Sequence, residues 1–307
     1  MRLSKIVKKA EAAGQAGERL TDEQVRELQG VLLKILDDTV EICEKYHLTY
    51  ILIGGTAIGA LRHEGFIPWD DDIDIAMPHR DYNKFVKIVR SKYRDTYSVI
   101  HPKDKNNYGR IIPKIRLNGT TYQTILEKDL DDPGIFIDIY LIENVFQNKA
   151  LRSVQGFVDL AFGLLLSCRR IYAGRDFYSQ YYRGFSKDAV EFRIRKAIGF
   201  LISFASLNTW ARWTDFWYSI CRDRNSEYVS IPSDDYHFFG EMYKREDLLN
   251  TKEVPFEGRK LTVSRNCEEY LTRRYGNYME IPPEDKRERC RYLQYDMGIY
   301  GKGDKEA

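Results

Sequence analysis

Apolar and polar positions alternate along the chain with two distinct periods. Val25, Leu28, Leu32, Ile35, Leu36, Thr39, Cys43 and Tyr46 recur three or four apart after Thr21-Asp22-Glu23-Gln24, which has the form of a capping box. This spacing predicts a long amphipathic helix ending near His47. A β-branched and aromatic run, Tyr50–Ile53, predicts a strand. Gly54-Gly55-Thr56 then turns into the short helical stretch Ala57–Arg62, with Thr56 as the expected N-cap. Asp72-Ile73-Asp74-Ile75 alternates acid and apolar residue, the period of a half-buried strand, and Pro78 ends it. Tyr82, Phe85, Val86 and Val89 mark a helix from about Arg80 to Tyr93. Strands are then expected at Tyr97–Ile100, Arg110–Leu117, Thr120–Leu126 and Ile135–Ile142, with Asn118-Gly119 closing a hairpin. From Gln147 the pattern shifts to long helices rich in aromatics and arginine. A turn-rich stretch follows at Asn225–Gly240, then short strands about Glu257-Gly258 and a helix from Asn266 to Arg274, closed by Gly276. Met1–Arg19 reads as a frayed arm or a short helix. The order strand, helix, strand, helix followed by several strands predicts an α+β fold, a mixed sheet flanked by helices with a helical middle region.

Candidate chemistry concentrates between Ile53 and Ile75. Residues two apart on a strand project to one face, so Asp72 and Asp74 point together, and Asp70 shares their parity. Carboxylates held that close repel unless a positive charge lies between them. A hard dication with oxygen ligands, Mg²⁺ before Mn²⁺, answers this; a solvated acidic turn is the alternative, and the interleaved isoleucines count against it. Glycines let backbone N–H groups approach an anion, and a helix N-terminus attracts phosphate, which makes Gly54, Gly55 and Thr56 candidate phosphate contacts. Asp138 lies within the apolar run Phe136–Tyr140. It pairs either with a neighbouring base or with a metal. Lys114 and Arg116 share parity on their strand and face either a phosphate or solvent; Arg62 is a similar candidate. Trp69 either stacks on a base or anchors its loop in the core.

Gly-Gly followed by an acid-x-acid strand and a later acid resembles the nucleotidyltransferase superfamily that includes DNA polymerase beta. The fuller string from Gly54 to Tyr82, G-G-T-A-I-G-A-L-R-H-E-G-F-I-P-W-D-D-D-I-D-I-A-M-P-H-R-D-Y, resembles the LicD family of phosphocholine transferases, to which fukutin-type proteins are related. The resemblance returns more weakly at Gly134–Tyr140 and Phe256–Pro283. It implies transfer of phosphocholine from CDP-choline to a hydroxyl of a cell-surface glycan precursor of teichoic acid or lipopolysaccharide type. Asp72, Asp74 and Asp138 would be metal ligands, with Asp70 a fourth or an outer partner. Gly54, Gly55, Thr56, Arg62, Trp69, Lys114 and Arg116 would contact the donor. Other CDP-alcohols (ribitol or glycerol), nucleotidyl transfer from an NTP, and a non-catalytic binding protein are the alternatives.

Composition narrows this further. The 307 residues are 43% hydrophobic and 31% charged, as in a folded protein, and the formal charge of +2 points to no nucleic-acid partner. Five scattered cysteines form no C-x-x-C pair, and the expected setting is a reducing cytoplasm. His63 and His79 flank the acids without metal spacing. No apolar run reaches the ~20 residues of a membrane span; Gly156–Leu166 and Ala197–Leu207 come nearest. Between Ser167 and Phe200, arginines interleave with aromatics. That pattern alone reads as a nucleic-acid surface, a membrane interface, a sugar-phosphate groove or a solvated helical face; with the resemblance it implies contact with a lipid-linked acceptor, or with the inner face of a membrane, through Arg169, Arg170, Arg193 and Arg195. Three regions are expected: a catalytic core over 1–146, a basic-aromatic helical region over 147–225, and a C-terminal region over 226–307 that packs back on the core.

Overall fold

A computed structural model of the chain describes residues 14, 17–102, 104, 109–127, 133–287 and 291–301. The first residues of the expected N-terminal arm and Cys290 lie outside the described residues. Strand β1 (Glu18–Arg19) leads to helix α1 (Asp22–Lys45), where the Thr21 side chain and Gln24 form the expected reciprocal capping box. Its face from Val25 to Cys43 is buried against the sheet. Strand β2 (Ile51–Leu52), helix α2 (Gly54–His63), strand β3 (Asp74–Pro78) and helix α3 (His79–Lys92) follow in the expected order. Next come β4 (Tyr97–Ile100), β5 (Lys114–Leu117), β6 (Thr121–Thr124) and β7 (Phe136–Asn144).

The main sheet runs β2-β3-β7-β5-β4. β3 and β7 are parallel, and β2, β5 and β4 pair antiparallel to their neighbours. Strands β8 (Tyr228–Ser230) and β9 (Met242–Lys244) extend it from the far end of β7. The architecture is α+β with a mixed sheet. Ile73, Ile75, Met77, Ile115, Ile137 and Ile139 share one buried face of the sheet, in the same core as Tyr82, Phe85 and Val89 of α3.

The Asn118-Gly119 hairpin does not form. Both edges of β5 are already taken, by β4 and β7, so β6 leaves the sheet and pairs instead with β12 (Arg291–Asp296). The Thr120 hydroxyl holds this departure: it donates to Leu117 O and accepts from Ile135 N–H. The Glu257-Gly258 turn does close a hairpin, of β10 (Thr251–Phe256) and β11 (Arg259–Ser264). Both turn residues have positive φ, 47° and 73°, the geometry whose twist suits a two-residue connection.

Helices α4 (Lys149–Ala173), α5 (Lys187–Leu201) and α6 (Leu207–Tyr218) make up the middle of the chain. Asn148, Ser186 and Ser206 cap them. At 25 residues, α4 is long and apolar enough by length and composition to cross a membrane, contrary to the sequence expectation. Counting apolar runs missed it because Asp159 interrupts the pattern. Helix α7 (Cys267–Tyr275) ends at Gly276, whose φ is +68°.

Candidate active site

Three adjacent strands bring three charged residues side by side. Asp74 at the start of β3 is in register with Asp138 on β7, and Asp138 is in register with Lys114 on β5. The Lys114 ammonium lies 3.0 Å from the Asp138 carboxylate and 3.2 Å from Glu127, and its Nζ sits 3.1 Å from the centroid of the Phe136 ring. Arg116 Nη2 is 3.6 Å from the same Glu127 carboxylate. Lys114 and Arg116 do share a face, but they are 2% and 0% exposed. The solvent-facing edge strand is therefore excluded: β5 is an interior strand, and its bases serve buried acids.

The acids of the Asp70–Asp72 turn close over Asp74. Carboxylate oxygens of Asp70, Asp71 and Asp72 lie within 4.8 Å of one another. Asp71 points into the core, where the Tyr122 hydroxyl donates to it at 2.9 Å. Asp70 and Asp72 instead share the electrostatic surroundings of Asp74. Burial first, then Asp70, Asp74, Asp71 and Asp138, push the Asp72 carboxyl well above the carboxylate range. Asp74 is raised by burial, then by Asp138, Asp70 and Asp234. Burial and Asp71 push Asp70 up to about 7. For Asp138, burial outweighs the pull of Lys114 and leaves its carboxyl raised. Burial and mutual repulsion thus hold all four carboxyls above the ordinary carboxylate range, and the nearby bases Lys114, Arg110 and Arg62 do not undo it. A set of hard oxygen donors in that condition fits a hard dication.

The two glycines make room for this cluster. Gly54 has φ +58°, and a Cβ there would lie 3.0 Å from an Asp74 carboxylate oxygen; a Cβ on Gly55 would lie 2.9 Å from one of Asp70. The glycines therefore let α2 start directly against two carboxylates. Thr56 is not the N-cap, because the helix begins two residues earlier, with Ile53 at the cap position. The Thr56 hydroxyl instead accepts from Asp74 N–H at 2.9 Å, tying α2 to the start of β3. The Gly54 N–H donates to the Tyr270 hydroxyl, so this group is not offered to a phosphate. Arg62 bonds the carbonyls of Tyr278 and Glu280 and the ring of His63. It ties the C-terminal segment to α2 rather than reaching into the cleft. Trp69 packs against the core, with the Arg287 guanidinium 4.3 Å above its ring. His79 pairs with Glu143 at 2.5 Å.

Several residues at the cleft carry no local signal in the sequence. Tyr270 and Tyr275 of α7 reach Gly54 across more than two hundred residues of chain. Arg274 binds the Asp234 carboxylate through two nitrogens and Glu241 at 2.8 Å. Tyr140, on the same side of β7 as Asp138, is raised by burial and then by Asp74, Asp138 and Asp234. A bulky C-terminal helix and an ion-paired loop thus form the wall opposite the sheet.

Residues 47–142, which hold the Gly turn and all four acids, match the family model LicD/FKTN/FKRP, nucleotidyltransferase domain. The lipopolysaccharide cholinephosphotransferase LicD of Haemophilus influenzae is 30% identical over 265 residues, covering 85% of this chain and 93% of that protein. Uncharacterised proteins of Rickettsia typhi and Rickettsia prowazekii are 38% and 34% identical over 72 and 93 residues, about a quarter of this chain. The chain belongs to the LicD family, and it is a phosphotransferase enzyme.

Proposed function

We propose that the chain transfers phosphocholine from CDP-choline to a hydroxyl of a lipopolysaccharide- or teichoic-acid-type glycan precursor and releases CMP, on a nucleotidyltransferase-like core spanning residues 1–146. The observation that carries this reading is the register of Asp74 with Asp138 beside the acidic turn Asp70–Asp72, in a chain similar over most of its length to a cholinephosphotransferase. Asp72, Asp74 and Asp138 would hold Mg²⁺ (or Mn²⁺), with Asp70 beside them. Bound there, the ion neutralises the phosphate oxygens of the donor, which is most of what phosphoryl transfer asks. The chain's own groups supply the rest. The Gly55 and Thr56 N–H groups, at the N-terminus of α2, bind donor phosphate. Asp138 takes the proton of the acceptor hydroxyl as its oxygen bonds to the choline-bearing phosphorus and the bond to CMP breaks. Lys114 fixes the position of Asp138. Mass-spectrometric analysis of products from a panel of CDP-choline, CDP-ribitol, CDP-glycerol and NTPs with Mg²⁺ tests this. Phosphocholine on the acceptor and free CMP are expected; pyrophosphate release from an NTP, or no turnover of any donor, would overturn it.

The acceptor is proposed to be lipid-linked and met at the inner face of a membrane, through the helical region 147–225. Val190, Ile194, Ala197 and Leu201 form one exposed stripe along α5. Phe185 at 91% exposed and Phe204 at 77% lie at its two ends, and Phe157 and Leu164 of α4 and Phe216 of α6 are also exposed. Arg193 stacks 5.2 Å from the Phe185 ring, and Lys187 and Arg212 are exposed nearby in sequence. An apolar face with basic neighbours suits an anionic lipid surface, to which each base contributes roughly 1 kcal/mol. The contacts differ from those expected from sequence. Arg169 is bonded to Ala205 O, and Arg195 to Glu191 and Ser167, so of the four arginines Arg193 remains on the exposed face. Sedimentation with phosphatidylglycerol vesicles should show at least tenfold weaker binding when Phe185, Leu201 and Phe204 are all serine; equal binding would contradict the membrane contact.

A further inference from the structure

A cavity of about 550 Å³, within the size range of ligand pockets, lies between α4, α5, α6, the approach to β5 and the loop joining β8 to β9. Side-chain contacts on two of its walls lead to the acid cluster. Arg110 is 4.0 Å from Glu127, which is 3.2 Å from the Lys114 that holds Asp138. Asp235 is 3.9 Å from Arg274, whose Nε donates at 2.8 Å to the Tyr275 hydroxyl beside Gly54. The charged lining is mixed: Arg110, Arg170, Arg195 and His237 against Asp159 and Asp235. Along α4 the two signs are separated. Asp159 and Arg170 stand three turns apart on one face of the helix, roughly 16 Å. The Asp159 end is aromatic: a Cβ at Gly156 would lie 2.6 Å from the Phe238 ring, and one at Gly163 2.7 Å from the Tyr218 hydroxyl. At the other end Arg195 of α5 donates to the Ser167 hydroxyl at 3.2 Å, one turn before Arg170. Asp159 is 1% exposed, and neither of its carboxyl oxygens has a hydrogen-bond partner among the described residues; the buried Ser233 hydroxyl on the β8–β9 loop has none either.

Buried carboxyl and hydroxyl groups without partners are costly until something completes them. Burial, then Glu143, push the Asp159 carboxyl up to about 8, so near neutral pH it donates as an acid and, once ionised, accepts. A hydroxyl answers both forms, because it also gives and takes hydrogen bonds. The basic end asks for something else. Guanidinium groups match the oxygens of a phosphate, and they repel a cation. Free phosphate would leave the Asp159 end unmet, and a neutral sugar would leave the arginine charge unmet. A sugar phosphate meets both ends. We propose that this cavity is the acceptor subsite and takes a phosphorylated sugar, its phosphate at Arg170 and Arg195 and its hydroxyls at Asp159 and Ser233. Its place in the reaction rests on the phosphocholine-transfer reading, to which it adds the chemical class of the unit recognised on the acceptor.

The test uses the full chain. Calorimetric titration with the 6-phosphates of glucose, galactose, mannose and N-acetylglucosamine needs no turnover. At least one should bind at least about tenfold more tightly than its unphosphorylated sugar and than inorganic phosphate, the factor that one charge-assisted hydrogen bond supplies. Arg170→Gln and Asp159→Leu should each weaken that binding at least about tenfold. Arg170→Gln should narrow the gap between sugar phosphate and free sugar, and Asp159→Leu the gap between sugar phosphate and inorganic phosphate. Asp159→Leu replaces an unpartnered buried acid by an apolar side chain and is expected to melt no lower than the wild type. In turnover, the same sugar phosphate should inhibit transfer competitively with the glycan acceptor and not with CDP-choline. The proposal is overturned, with phosphocholine transfer left standing, by any of four results: no sugar phosphate bound, inorganic phosphate bound as tightly, affinity within about twofold of wild type in both folded variants, or inhibition competitive with CDP-choline. If the wild type turns over no CDP-alcohol, the transfer reading falls, and the titrations alone then decide the sugar-phosphate site.

Discussion

Replacing Asp74 by Asn is expected to lower transfer by about a hundred- to a thousandfold, the range seen when a single charge-stabilising group is lost from an active site. Asp74 stands in register with Asp138 on β7, and burial and then three neighbouring acids raise its pKa. An amide keeps its shape and its backbone ties to Thr56 and Ile53 but removes an anionic ligand. The same change relieves like-charge repulsion, so the metal-free variant should melt at or above the wild-type temperature. Losses of both activity and melting temperature would mean that Asp74 serves the fold instead. Near-normal turnover in saturating Mg²⁺ would remove the metal role.

The largest stability effect is expected at Glu127. This carboxylate, 2% exposed, is the shared partner of Lys114 and Arg116, with Arg110 at 4.0 Å. Burial pushes its pKa up, but the charges of Lys114, Arg110 and Arg116 overcome that and hold it at about 2. Glu127→Gln removes the buried charge that Lys114, Arg116 and Arg110 share, and breaking a buried ion pair costs about 3–5 kcal/mol. A fall in Tm of roughly 5–15 °C is expected by thermal unfolding. The pH dependence has a definite sign. A folded pKa depressed below the unfolded value means the unfolded chain binds the proton more readily. The stabilisation is therefore complete above about 4.5 and is lost as pH falls toward 2. The variant should lack that component of acid sensitivity. A variant as stable as wild type at pH 7, with an unchanged acid transition, would show that the bases find other partners.

What was legible in the sequence and what was not follows from the range of the interactions. The helices at Asp22–Lys45 and His79–Lys92 and the strand Tyr97–Ile100 were read closely, because their periodicity is local. That Asp138 needs a partner was legible because an acid inside Phe136–Tyr140 has no local means of being satisfied, and of the two partners expected the structure shows the base, Lys114 at 3.0 Å. The Asn118-Gly119 turn misled because a turn signal cannot say whether the neighbouring edge is already occupied, and here β7 occupies it. Thr56 was misread as a cap because its partner, the Asp74 N–H, lies on another element. Glu127 was missed as the counter-charge of Lys114 and Arg116, since its role depends on the chain folding back after β6. Tyr270, Tyr275 and the Arg274–Asp234 pair were invisible for the same reason, although Tyr275 lies in a stretch that did resemble the family. Asp159 broke an apolar run, and that interruption concealed both the length of α4 and an unpartnered acid.

The central claim is that Asp72, Asp74 and Asp138 together hold a dication. Anomalous difference density from crystals of the full chain grown with Mn²⁺ tests it most directly. The account predicts a peak within coordination distance of all three carboxylates, adjacent to Gly55 and Thr56, and no peak there in Asp74→Asn. A peak bound by the Asp70–Asp72 turn alone, away from Asp74 and Asp138, or a cleft without density at saturating Mn²⁺, would contradict it.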